Sequence, residues 1–138
     1  MTVSASTDRA DRQRLSLNGL WYACGVVMLL AVAMVSLLPA PAIGVSDKLS
    51  HLLTYVLLSG WFCLLARRRT ALVFSIAALI AYGIMIEWLQ GLTGYRYAEW
   101  GDVIANSAGC LLGTLGYLRP LRRWFVRIDA KLASLLRR

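Results

Sequence analysis

Residues 71–90 read ALVFSIAALIAYGIMIEWLQ, with no charged side chain from Ala71 to Ile86, then Glu87 and Gln90 before the run ends. A helix rises about 1.5 Å per residue and needs about 20 apolar residues to cross a hydrocarbon core of roughly 30 Å, so Ala71 to Leu89 reads as a membrane span. Glu87 then lies about one turn inside it. A carboxylate at that depth must be protonated, hydrated or paired, and Arg96 or His51 is the partner expected. Such a pairing requires other spans to pack against this one.

The chain supplies them. Leu20 to Leu38, Leu49 to Ala66 and Val103 to Leu118 are further apolar stretches. The last is short and carries Asn106 and Ser107 near one end, which predicts a tilted or partly shielded helix. Of the 138 residues 59% are hydrophobic and the mean hydropathy is +0.61, too little polar surface to cover a water-soluble globule. The fold class expected is all-α: an integral membrane four-helix bundle with a C-terminal basic amphipathic helix. Residues 1–19 form a polar cytoplasmic segment, 20–118 the four-span membrane domain, and 119–138 the amphipathic helix.

Loop charges orient the bundle. Arg9, Arg12 and Arg14 precede the first span, Arg67, Arg68 and Arg69 separate the second and third, and Arg119, Arg122 and Arg123 follow the fourth. The other two loops, Pro39 to Lys48 and Gln90 to Asp102, hold Lys48 and Arg96 as their only basic residues. The positive-inside rule therefore places both termini in the cytoplasm of a multi-pass protein of the cytoplasmic (inner) membrane. The formal net charge of +8 is then accounted for by contact with anionic lipid, and a nucleic-acid partner gains no support. Arg9 to Arg14 and Ala40-Pro41-Ala42 have the look of a signal peptide and its cleavage site. The apolar run between them exceeds the usual length of about 7–15 residues, and a proline sits within the site, so a retained span is expected.

Beyond the spans, Leu121, Trp124, Phe125, Ile128, Leu132, Leu135 and Leu136 recur at three- and four-residue spacing. Arg122, Arg123, Arg127, Lys131, Arg137 and Arg138 lie largely on other faces. This is the pattern of a helix lying on the cytoplasmic leaflet. Cys24, Cys63 and Cys110 all fall within spans, where a thiol acts as a small apolar packing group.

Helical arithmetic brings the polar residues together. Asp47, His51 and Tyr55 share a stripe at the outer start of the second span. Gly83, Glu87 and Gln90 share one at the outer end of the third, and Asp102, Asn106, Gly109 and Gly113 one at the outer start of the fourth. Glycines four residues apart also let a second helix approach closely, which favours packing at Gly83, Gly109 and Gly113 and a homodimer through the Gly109 and Gly113 face. With Lys48 and Arg96 from the outer loops, three stripes of polar residues reach one depth.

Taken in order, Asp47-Lys48-Leu49-Ser50-His51 with Tyr55, Glu87-Trp88-Leu89-Gln90, Gly94-Tyr95-Arg96, and Asp102-Val103-Ile104-Ala105-Asn106 with Gly109 and Gly113 resemble the VanZ-like family. The resemblance covers roughly Asp47 to Leu118. It implies a small multi-span helical protein of a family named after an accessory factor for resistance to the glycopeptide teicoplanin, hence a part in antibiotic resistance or the cell envelope. Nothing in the chain looks like an acyl-phosphate or CoA site.

Each polar residue also has a structural account. Asp47 and Asp102 can cap helices, Asn106 can bridge helices, Lys48 and Arg96 can snorkel to water, and His51 can be a packing histidine. Three function classes follow. In the first, Asp47, Lys48, His51, Tyr55, Glu87, Gln90, Arg96, Asp102 and Asn106 bind a lipid headgroup or lipid-linked envelope precursor, Arg96 holding a phosphate or carboxylate. The second is an intramembrane enzyme in which Glu87 and His51 act as acid and base, or Asp47, His51, Glu87 and Asp102 hold a divalent ion for phosphoryl or acyl transfer. The third is a structural subunit of a membrane complex. The balance leans away from an enzyme, no cofactor is called for, and membrane lipids are the expected partners.

The arginine distribution predicts that cysteines introduced at Ser46 and Thr93 are labelled by an impermeant maleimide in intact cells and that one at Arg68 is not. Labelling at Arg68 alone would invert the topology.

Overall fold

The structure, a computed structural model, describes residues 15–39 and 47–137. Arg9, Arg12 and Arg14, and the Ala40-Pro41-Ala42 segment, lie outside the described residues. The elements are all helical: α1 (Asn18–Ser36), α2 (Asp47–Leu65), α3 (Arg69–Leu92), α4 (Trp100–Gly113), a 3-10 turn (Thr114–Tyr117) and α5 (Arg119–Leu136). Three of them, α1, α2 and α3, are long and apolar enough to cross a membrane. At 14 residues α4 is shorter, about 21 Å, and the 3-10 turn extends it to roughly 29 Å.

The outward faces explain the composition. Val27, Leu30, Met34, Leu57, Phe74, Trp88 and Ile104 are all exposed, an apolar surface too extensive for a soluble monomer and suited to lipid. The core is correspondingly small. Tyr55, Leu58, Leu79 and Cys110 form its centre, with Met28, Val32, Phe62 and Tyr82 packed around them. Cys63 and Cys110 are fully buried, as expected of packing thiols.

The closest helix pair is α2 with α4, and small residues make it so. A Cβ on Gly109 would fall 2.5 Å from the carbonyl oxygen of Leu52, and one on Gly113 would fall 2.7 Å from that of Val56. Backbone cannot move aside as a side-chain tip can, so this contact demands glycine. Gly116 continues it, since a Cβ there would fall 2.8 Å from the Gly60 carbonyl oxygen, and Ser59 Oγ donates to the Cys110 carbonyl at 2.7 Å across the seam. The glycine face is thus occupied by α2 of the same chain. A homodimer through Gly109 and Gly113, expected from their spacing, would require that contact to be broken.

Gly94, with φ of +77°, turns the chain after α3 in the left-handed conformation that glycine adopts without a Cβ penalty. Pro120, in the first turn of α5, starts that helix where no amide donor is needed.

At the end away from the polar stripes, α1, α2 and α5 meet around Trp21, Trp61 and Phe125. Their ring centroids are 5.8 Å apart for Trp21 and Trp61, and 5.0 Å for Trp21 and Phe125. Asp129 of α5 fixes the junction. Its carboxylate accepts the backbone N–H of Ser16 at 2.6 Å, that of Leu17 at 2.9 Å, and the Trp21 indole N–H at 2.8 Å. The first two are orphan donors ahead of α1, and the negative charge suits the positive end of its dipole. The α5 face toward the bundle therefore carries Phe125, Asp129 and Ala133, while Leu121, Trp124, Leu132, Leu135 and Leu136 remain exposed.

Burial tends to raise the Asp129 carboxyl, but the hydrogen bonds from Trp21, Leu17 and Ser16 outweigh it and hold its pKa below the ordinary aspartate value. A depressed carboxylate stabilises the fold fully above its unfolded pKa and loses that contribution as pH falls through its folded one. Asp129→Asn should cost about 2 kcal/mol at pH 7, read as a lower melting temperature in detergent. The gap to wild type should narrow as the pH falls below the ordinary aspartate value; a gap independent of pH would contradict this account.

Candidate functional site

The three stripes do converge. His51, Tyr55, Glu87, Gln90, Asp102 and Asn106 are buried at one end of the bundle, whereas Asp47 and Lys48 are exposed at its rim. Close packing of α2 on α4 places His51 opposite Asn106, with Nδ1 3.0 Å from Asn106 Oδ1. Since the amide oxygen only accepts, the imidazole proton resides on Nδ1 when the ring is neutral. Glu87 Oε1 lies 3.6 Å from the same nitrogen. On the other side of the ring, Nε2 is 3.7 Å from Asp47 Oδ1 and 3.9 Å from Asp102 Oδ2.

Of the two partners expected for Glu87, His51 lies against it and Arg96 is engaged elsewhere. Arg96 does not pair with Glu87. Its Nη2 donates to Asp47 Oδ2 at 2.9 Å and its Nη1 to the Ser36 carbonyl at 3.1 Å. Gln90 Nε2 donates to that same carbonyl at 2.8 Å, and the Tyr95 hydroxyl to the Leu37 carbonyl. Carbonyls at a helix C-terminus have no intrahelical donors and attract positive charge, so Gln90, Tyr95 and Arg96 together cap α1. Lys48 Nζ binds Glu99 Oε2 at 2.9 Å and stands 4.0 Å from Asp102 Oδ1. Glu87 takes its remaining contact from the Glu99 backbone N–H, at 3.4 Å.

Sequence reasoning missed Glu99, Tyr95 and Asp129. Glu99 was visible as an acid in the same loop as Arg96, but only the fold shows that it meets Lys48.

Four buried polar atoms around the histidine have no hydrogen-bond partner: Tyr55 Oη, Glu87 Oε1, Asp102 Oδ1 and Asn106 Nδ2. Two of them border Gly83, where a Cβ would stand 3.2 Å from both Asn106 Nδ2 and Tyr55 Oη. The missing side chain gives those two groups their room. Buried polar groups are almost always satisfied by protein or by something bound, and two of the four flank the same gap at Gly83. An apolar groove of 480 Å³ lined by Tyr22, Leu29, Phe62, Phe74 and Tyr82 opens on another side of the bundle. It is lined by none of the polar cluster.

Two variants test these assignments on unliganded protein. Asn106→Leu strips His51 of its closest partner and should cost about 1–3 kcal/mol, whereas Tyr55→Phe, removing a buried hydroxyl that makes no hydrogen bond in the fold, should stabilise the protein by about 1 kcal/mol or more. Thermal unfolding in detergent measures both, and equal losses would mean that the Tyr55 hydroxyl has a structural partner.

A family model described as VanZ/LLP1 matches residues 32–123, a longer stretch than the motifs alone carry. An uncharacterized protein of Schizosaccharomyces pombe is 29% identical over 93 residues, which cover 65% of this chain and 57% of that protein. The chain thus spans little more than half of that relative's length. No solved structure matches it significantly.

Proposed function

The chain belongs to the VanZ/LLP1 family, and we propose that it binds the phosphate-bearing headgroup of a membrane lipid, or of a lipid-linked envelope precursor, at the polar end of its helices. The observation that carries this reading is the set of four buried polar atoms without a hydrogen bond, on Tyr55, Glu87, Asp102 and Asn106. A polar set serving packing alone would be closed on itself, since each buried unsatisfied group costs about 1–3 kcal/mol. The rim above it holds Arg96 and Lys48, each already hydrogen-bonded to a carboxylate and each able to exchange that partner for a phosphate. Arg96 is the stronger candidate because its planar fork matches a phosphate bidentately.

Several finer readings belong to this proposal. We take α4 with its 3-10 turn as a fourth crossing, short because Gly113 and Gly116 press it onto α2. The arginine-rich loops then lie in the cytoplasm, α5 rests on the inner leaflet through Leu121, Trp124, Leu132 and Leu135, and the polar end faces the outer leaflet. A pocket in that position meets headgroups and lipid-linked precursors and no cytosolic metabolite. Altered susceptibility to a lipid-tailed glycopeptide would follow from a changed outer leaflet, as the family's name suggests.

A second reading, a purely structural role, draws support from Gln90 and Arg96, which cap α1. Variants separate the two. Glu87→Gln, Arg96→Ala and Asp102→Asn should each weaken phosphatidylglycerol binding in nanodiscs by roughly tenfold or more while the protein remains folded and monodisperse. Collapse of all three would favour the structural role, since breaking a buried pair costs about 3–5 kcal/mol. In a Gram-positive host, deletion should shift susceptibility to lipid-tailed glycopeptides and leave susceptibility to ribosome-directed drugs unchanged.

A further inference from the structure

We infer that Asp47, His51 and Asp102 hold a divalent first-row transition-metal ion. This inference calls on no lipid and places its ion on the opposite side of the histidine ring from Asn106, although it shares the buried carboxylate oxygens of Glu87 and Asp102 with the headgroup reading.

Geometry is the first argument. One donor atom from each of the three residues lies within 4.8 Å of the other two, and His51 Nε2 stands 3.7 Å from Asp47 Oδ1 and 3.9 Å from Asp102 Oδ2. Donors bound at about 2.0–2.2 Å to a tetrahedral ion lie roughly 3.4 Å apart. Side-chain movements of a few tenths of an ångström toward the imidazole, and of up to about 1.4 Å between the two aspartates, would close the set. Asp47 and His51 are one helical turn apart on α2, and Asp102 comes from α4 across the glycine seam, so two backbones fix the three ligands.

The second argument is the histidine's orientation. Asn106 Oδ1, at 3.0 Å, keeps the proton of a neutral ring on Nδ1, and Glu87 Oε1 at 3.6 Å supports it from the same side. The lone pair is left on Nε2, between the two aspartates. A metal-binding histidine is characteristically held in this way by an acceptor on its other nitrogen. Glu87 is accordingly a positioning residue and not a ligand, which separates it from the four-residue metal set that the sequence suggests.

Charge supplies the third. Four carboxylates, Asp47, Glu87, Glu99 and Asp102, face two permanent cations, Lys48 and Arg96. Arg96 is taken up by Asp47 and Lys48 by Glu99, at 2.9 Å each. Glu87 and Asp102 remain, only 3% and 4% exposed, each with a buried oxygen that accepts no hydrogen bond. Their nearest basic groups are His51, at 3.6 and 3.9 Å, and, for Asp102, the Lys48 Nζ at 4.0 Å; carboxylates so weakly paired beside hydrocarbon are costly, and one divalent ion supplies the missing positive charge. An imidazole with two carboxylates suits Zn²⁺ or Mn²⁺, whereas Mg²⁺ and Ca²⁺ prefer all-oxygen sites.

The test uses the full chain in detergent, purified without chelator. Elemental analysis should find about one equivalent of a transition metal per chain, falling below about a tenth in His51→Ala and in Asp102→Asn. After chelation, Zn²⁺ should raise the melting temperature of wild type and not of either variant, and Mg²⁺ at the same concentration should leave it unchanged. Arg96→Ala should keep the ion while losing phosphatidylglycerol, which separates failure of this site from failure of the headgroup site. Should one ligand variant not fold, the other decides. A metal-free wild type that gains no stability from Zn²⁺ or Mn²⁺, or equal metal in wild type and both variants, would overturn the inference.

Discussion

The contact on which the rest of the structure depends is the one between two backbones, α2 and α4, where Gly109 lies against the Leu52 carbonyl and Gly113 against that of Val56. In a bilayer, helices gain no hydrophobic stabilisation by associating, because lipid tails are as apolar as leucine. Close van der Waals contact and hydrogen bonds must hold them instead, and both need small residues. Once the seam is closed, the stripes on its two sides are brought face to face. Asn106 and Asp102 stand one and two turns before Gly109 on α4, and each meets α2 at the height of His51 because the glycines permit nothing wider. A methyl group at Gly109 would push the helices apart and undo the site together with the packing.

Electrostatics imposes the second constraint. Beside hydrocarbon a lone carboxylate is expensive, yet the end of this bundle gathers three within 4 Å of one imidazole and a fourth, Glu99, beside Lys48 at the rim. Two are answered by Arg96 and Lys48. The pairing is selective: each cation takes a carboxylate of the rim, Asp47 or Glu99, and the buried Glu87 and Asp102 are left to the histidine. A cluster evolved only to bind helices together would put its fixed cations where desolvation is greatest. Here they sit at the mouth, which is where an incoming anion would first be met.

Much of this was legible in the residues. Spans can be read because hydrophobic length is set by the bilayer, and the stripes can be read because Asp47, His51 and Tyr55, or Gly83, Glu87 and Gln90, obey a helical period that needs no knowledge of the fold. Partners were less legible. That Arg96 turns to Asp47 and Ser36, leaving Glu87 to His51, depends on how α1 ends beside the loop after α3, and no spacing encodes that. Gln90 reads as a site residue by its stripe but is spent on a carbonyl of α1. Asp129 was overlooked for a related reason. Its position among apolar residues of α5 looks like an ordinary interruption of an amphipathic pattern, and its purpose appears only when Ser16, Leu17 and Trp21 are found around it. On α5 the repeat of apolar residues is real, yet it divides between two faces, Phe125 turned to the bundle and Trp124 outward, which periodicity alone does not separate.

These long-range contacts give α1 an unusual mode of attachment. Most of its length is exposed apolar surface, from Val26 and Val27 to Met34 and Val35. It touches the bundle at mid-length where Gly25 admits Phe62 and where the Tyr82 hydroxyl donates to the Leu29 carbonyl at 2.6 Å. Its ends are held by polar groups of opposite sign, the Asp129 carboxylate at the N-terminus and the Arg96 guanidinium, with Gln90 and Tyr95, at the C-terminus. Both charges oppose the helix dipole in the favourable sense. Arg96 serves two masters in this arrangement, since one of its nitrogens caps α1 while the other holds Asp47 at the rim. Any ligand that drew the guanidinium away from Asp47 would also loosen the end of α1, so occupancy of the polar end and the seating of the first helix are coupled through a single side chain.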